Sequence, residues 1–166
     1  RRPDGWTSAD AAGLAILPGL VRADEVYVAS NIDHAIRCTV HGVSGYVFPA
    51  SHNATIDPDS PIPLGTRLRL KSSVITTNKP FPVRIILEAM KTYGLIVADT
   101  GSDLYFQGTP DERWDNGVLN PQFSAIRAQD FEVIELGWSV PEPGGVYGAV
   151  GAVLWALGTL RRKRVV

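Results

Sequence analysis

The sequence predicts an α+β domain, mainly β, in which an antiparallel sheet or β-sandwich layer carries one packed helix. Three observations predict it. Strict apolar–polar alternation recurs between turn signals, at Asn31–His41 and again at Arg67–Ser72. One segment, Pro82–Tyr93, changes to helical spacing, with Val83, Ile86, Leu87, Met90 and Tyr93 along one side. The connections between these segments are short and hairpin-like, in the order β-β-β-α-β-β-α-β.

The elements follow one another simply. Thr7 or Ser8 is placed to cap a turn over Asp10–Ala12, which Gly13 ends. Leu14–Val21 is apolar but broken by Pro18-Gly19, and reads as a buried loop; Arg22–Ala29 reads as one or two helical turns. In Asn31–His41, Ile32, His34, Ile36, Cys38 and Val40 share one face, and Asp33, Ala35, Arg37 and Thr39 share the other. Tyr46–Ala50 is a second strand after a turn at Gly42–Gly45, which predicts a hairpin. His52–Pro63 is rich in proline and aspartate and forms a loop. In Arg67–Ser72, Leu68, Leu70 and Ser72 point inward while Arg67, Arg69 and Lys71 point outward.

Pro82 suits the first turn of the following helix and Gly94 the position just past its end. Ile85 and Ala89 widen its apolar arc, so it packs on a sheet on more than one side. Leu95–Asp99 and Leu104–Gln107 are strands, Asn120 and Pro121 start a short helix through Arg127, and Phe131–Leu136 is the last strand. Cys38 is the only cysteine, which excludes an internal disulfide and a cysteine-based zinc site. The 166 residues carry a net charge of −1 with 45% hydrophobic and 8% aromatic side chains, the balance of a globular chain without the basic excess of a nucleic-acid binder.

The end of the chain has a different composition. Pro141, Glu142 and Pro143 form a turn, Gly144–Leu160 is uncharged, and Arg161, Arg162, Lys163 and Arg164 follow. At about 1.5 Å per residue the uncharged run makes a helix of roughly 25 Å, near the lower limit for a hydrocarbon core of about 30 Å. The cations belong on the cytoplasmic side, which places the preceding domain outside the cytoplasm. The chain therefore divides into an extracytoplasmic domain over residues 1–138 and a tail over residues 139–166 with a transmembrane helix.

The order Val-Pro-Glu-Pro, short apolar span and basic end resembles the PEP-CTERM sorting signal of Gram-negative bacteria. The resemblance covers Val140–Arg164. It implies that an exosortase-type membrane protease processes the tail, through an inner-membrane intermediate, before the protein reaches the cell surface or extracellular matrix. Export calls for a signal segment, so the expectation is that this segment and part of the domain lie upstream of Arg1. The strings GWTSADAAGLAILPGLVRADEV, DHAIRCTV, ILEAMKTYGLIVADTGS and PDERWDN resemble a group of exported bacterial proteins that are longer at the N-terminus. That second resemblance implies an extracellular domain and brings no catalytic residue with it.

Few residues stand out as chemistry-bearing. His34 lies on the apolar face of its strand, as either a hydrogen-bonded core histidine or a base at the sheet surface. Asp111, Glu112 and Asp115 surround Trp114. A carboxylate pair beside an aromatic is what glycoside hydrolysis uses; an acidic turn is the plainer reading. Arg67, Arg69 and Lys71 put three cations on one strand face, either a solvated edge or a groove for an anionic glycan. Tyr46, Tyr105, Arg113 and Trp114 would complete that groove if they share its face. His41, His52, Asp57 and Asp59 match no metal spacing, and no cofactor is implied. The leading expectation is an exported surface or matrix protein with a structural or glycan-contacting domain, partnered by the exosortase, the membrane and exopolysaccharide, and not by nucleic acid. The alternative is a secreted carbohydrate-active enzyme, a glycoside hydrolase or polysaccharide lyase.

Overall fold

Gly94 shows how closely this chain is packed around its helix. It takes φ +77°, and a Cβ there would run into the carbonyl oxygen of Leu68. It closes α1 (Phe81–Thr92), whose last turn is tied by the Tyr93 and Gly94 amides donating to Ala89 O at 2.7 and 3.2 Å. At the other end Pro80 precedes α1 and Pro82 occupies the first turn, where a missing N–H costs nothing. Val83, Ile86, Leu87, Ala89 and Met90 are buried, as the helical spacing predicts. The computed structural model describes residues 10–53 and 56–134.

These residues build an α+β fold on one five-stranded mixed sheet, with α1, α2 (Asn116–Ser124) and a π-helical segment, Glu25–Ala29. The strands are β1 (Ile36–Val40), β2 (Arg67–Leu70), β3 (Leu95–Thr100), β4 (Tyr105–Phe106) and β5 (Phe131–Val133), in the spatial order β4-β1-β3-β2-β5. The central pair, β1 and β3, is parallel, and the other three pairings are antiparallel. The sheet is thus mixed, where an antiparallel layer or a sandwich was expected. The reason lies at Tyr46–Ala50. Tyr46 makes only an isolated bridge to Leu64, Ala50 turns back to Val47 O at 2.9 Å, and no hairpin partner forms for β1. Its partner comes from more than fifty residues later, a pairing that local alternation cannot announce.

Other departures have local causes. Leu14–Val21 is a loop, but Ile16 and Leu17 are exposed, with a 3-10 turn at Leu17–Gly19 in place of a buried crossing. Ser72 is exposed in the turn after β2, not inward. α2 begins at Asn116, earlier than the Asn120-Pro121 start expected, because the Asp115 side chain accepts from Val118 N at 3.2 Å and caps it. Pro121 then lies inside the helix. The Leu95–Asp99, Leu104–Gln107 and Phe131–Leu136 strands fall where expected within a residue or two, as far as they are described.

Successive residues of β1 look to opposite sides of the sheet. Ile36, Cys38 and Val40 face the core with Leu68, Leu70, Leu95 and Val97. Burial pushes the Cys38 thiol up to about 12, so it is a packing group and not a nucleophile. On the other side the register breaks between Cys38 and Thr39, and this irregularity sets Asp99 opposite Thr39. No helix among the described residues is long and apolar enough to cross a membrane. The expected span Gly144–Leu160, the sorting residues Pro141, Glu142 and Pro143, and the basic residues Arg161, Arg162, Lys163 and Arg164 lie outside the described residues.

Candidate functional site

A groove of about 950 Å³ runs between β4, the loop after it and α2. Its floor is apolar: Phe106 and Phe123 meet edge-to-face with ring centroids 4.8 Å apart, beside Leu119 and Ile86. Its upper lining is polar and uncharged for the most part, with Gln107, Asn116 and Asn120. Tyr105 is the most exposed aromatic of the lining, at 54%.

Trp114 forms a fixed wall. Its indole N–H donates to Thr109 O at 2.8 Å, one side packs on Tyr27 at 5.5 Å between centroids, and Gly108 lies close to the ring. The loop that carries it is clamped to the π-helical segment. Arg113 Nη2 reaches Asp24 Oδ1 at 2.8 Å and Asp111 Oδ2 at 2.6 Å, and the Thr109 amide donates to Val21 O at 2.8 Å. The guanidinium of Arg113, donating to both oxygens of Asp111, holds that carboxyl down at about 2, and Arg113 itself is raised. Burial raises the Tyr27 hydroxyl, helped by the nearby Asp115 charge.

The expected catalytic carboxylates thus have other work. Asp111 is locked to Arg113 and Asp115 caps α2. Asp111, Tyr105 and Trp114 line the groove together, whereas Asp115 is not part of its lining. His34 lies elsewhere, just before β1. Its Nε2 is 3.0 Å from Glu25 Oε1 and its Nδ1 is 2.9 Å from Ala35 O, while Glu25 also pairs with Arg22. The contact with Glu25 ties His34 to the segment on which Trp114 leans.

The cations Arg67 and Arg69 of β2, and Lys71 just after it, do not join the groove. Two strands, β3 and β1, separate β2 from β4, so at about 4.8 Å per strand their backbones are about 14 Å from Tyr105. Arg67 donates to Tyr93 O at 3.3 Å and is lowered by burial; Arg69 pairs with Glu132 at 2.8 Å; Lys71 donates to Gln129 O at 2.7 Å. Tyr46 is exposed but outside the groove lining. His41, His52, Asp57 and Asp59 do not converge, and among the described residues no cluster of three or more His, Cys, Asp or Glu side chains is placed to hold a metal ion.

Sequence reading missed two features. Asn116, Asn120 and Phe123 entered the groove through the early start of α2, whose signal was the Asp115 cap. The second is a buried charge cluster. Arg37 Nη2 lies 3.3 Å from Asp10 Oδ2 and 3.6 Å from Asp99 Oδ2, with the Asp10 side chain fully buried. Asp10 also accepts from the amides of Ala12 and Leu14 at 3.1 and 2.8 Å, yet burial raises its carboxyl above the usual range. Arg37 Nε is the one buried side-chain polar atom without a partner among the described residues. No family model, curated protein or solved structure matches this chain.

Proposed function

We propose that this is an exported protein whose Val140–Arg164 tail holds it in the membrane until an exosortase-type protease sorts it to the surface or matrix. In this reading its globular domain contacts glycan through the groove between β4 and α2. The observation that carries the glycan reading is the pairing, in one groove, of an exposed Tyr105 and a fixed Trp114 with the amide side chains of Asn116 and Asn120. An aromatic face covers the apolar side of a sugar ring, and amides both donate to and accept from hydroxyls. Support for the tail is the order of its parts in the sequence, with a transmembrane helix proposed over Gly144–Leu160.

Contact without turnover is the better reading of this groove. A hydrolase needs two carboxylates facing one bond, one of them kept protonated. Asp111 is held strongly ionised by Arg113, and Asp115 is committed to α2. The test titrates the full chain with neutral and uronate oligosaccharides while product release is followed by mass spectrometry. Binding with no cleavage is the expected result; cleavage would return the enzyme alternative, and no binding would remove the glycan reading. Sorting is tested separately in an exosortase-positive host and its deletion strain. Replacing Pro141, Glu142 and Pro143 with alanine should leave the chain inserted and unprocessed, and a mature protein that keeps Arg164 in both strains would reduce the tail to a plain anchor.

A further inference from the structure

The sheet register links the groove's outer edge to the face of the sheet opposite Phe106. Tyr105 on β4 pairs with Thr39 on β1, and Thr39 pairs with Asp99 on β3. Directly opposed residues share a face, so tyrosine, threonine and aspartate stand in one row across three strands. At about 4.8 Å per strand the row is about 10 Å long, a span that a disaccharide fills. Tyr105 is exposed, and the Asp99 side chain keeps 36% of its surface open.

Asp99 is held in place from two sides. Its Oδ1 accepts from the Thr100 amide at 2.9 Å, and its Oδ2 faces Arg37 Nη2, which the buried Asp10 holds from behind. Thr39 Oγ1 donates to Ser102 O at 2.6 Å, which spends its proton and leaves its oxygen to accept. Gly101 also packs against the Thr39 side chain, so the row presents an aromatic face and a carboxylate on either side of a half-covered hydroxyl. A carboxylate in this position accepts from neighbouring hydroxyls of a ligand through strong charge-assisted bonds, and repels a ligand carboxylate.

We infer that Tyr105, Thr39 and Asp99 form a subsite that extends the groove and selects an uncharged, hydroxyl-rich glycan over an acidic one. This rests on the glycan reading above and adds the ligand's charge class to it. The opposite preference, for an acidic glycan, would have followed from Arg67, Arg69 and Lys71; Arg67 is on the strand next to that of Asp99, but all three cations are engaged, with Tyr93 O, Glu132 and Gln129 O.

The experiment measures affinities of the full chain for a panel of neutral hexose oligosaccharides and the matching uronate oligosaccharides by calorimetry. It compares wild type with Asp99→Asn, Tyr105→Ala and Asn120→Ala, with thermal unfolding as the control for folding. Wild type should prefer the neutral series. Asp99→Asn, which keeps the side chain's shape, should weaken neutral binding about tenfold, as loss of a charged acceptor predicts, and narrow the preference over uronates. Tyr105→Ala should weaken both series, and so should Asn120→Ala, which leaves the row intact. If neutral binding is unchanged in Asp99→Asn, or wild type prefers uronates, the subsite is overturned while the groove reading stands. If wild type binds neither series, the groove reading itself falls and the subsite with it.

Discussion

On one face of the sheet, Leu95, Phe106 and Phe131 close with Leu87 and Met90 of α1 around a void of only about 40 Å³. On the other, Arg37, Thr39, Asp99 and Tyr105 stand on the same strands, and the cover over Arg37 is a loop, with Gly19 against its Cβ and Asp10 against its guanidinium. The first face is held by shape and apolar area, where almost any change costs stability. The second is held by charge pairing around polar groups that retain access to solvent. The difference bears on the proposed binding: the groove opens at the margin of the closed face, where Phe106 and Phe123 form its floor, and Tyr105 projects from the same edge strand onto the other face.

The largest effect should come from breaking the buried charge cluster. Arg37→Ala strands the Asp10 carboxylate in the interior and should cost about 3–5 kcal/mol in urea unfolding. A loss under about 1 kcal/mol would mean that Asp10 and Arg37 do not form a closed unit. Leu87→Ala, at a fully buried position on α1, should cost about 2–5 kcal/mol through the cavity it leaves. If Leu87→Ala is tolerated almost freely, the closed face is not the frame described.

Acid separates the two aspartate environments by sign. Asp10 has its carboxyl raised in the folded protein, so protonation favours the fold. Wild type should gain stability relative to Asp10→Asn as pH falls from neutral toward the ordinary carboxylate range. Asp111 is lowered to about 2, so its contribution is full above about pH 4 and fades as pH drops toward 2; Asp111→Asn should erase that part of the acid profile. Both slopes are read from unfolding curves across the acid range, and slopes of the same sign would refute the assignment. The smallest effect is predicted for Arg69→Ala. Its pair with Glu132 is exposed on both sides and contributes about 0.2–1 kcal/mol, and glycan affinity should not change.

The closed face was legible in the sequence because it is periodic. Val83, Ile86, Leu87 and Met90 recur at helical spacing, Pro82 and Gly94 bracket them, and alternation placed Ile36, Cys38 and Val40 inward. Arg37 and Thr39 were likewise placed on the opposite face. What stayed hidden was pairing over distance. Nothing local to β1 names β3 as its parallel partner, and nothing near Asp10 names Arg37, 27 residues away. Tyr105 and Trp114 were legible as exposed-type aromatics, but the Asp115 cap had to be recognised before Asn116 and Asn120 could be set beside them. In the acidic turn at Asp111–Asp115, Asp111 is paired with Arg113 and Asp115 caps α2.

The most direct test is to map where a glycan sits on the full chain by amide and indole chemical shifts during a titration with neutral oligosaccharide. Shifts concentrated at Tyr105, Asn116, Asn120 and the Trp114 indole, with Arg69 and Lys71 unmoved, are the predicted result. Shifts centred on β2, or none at saturating ligand, would contradict the assignment of binding to the groove between β4 and α2.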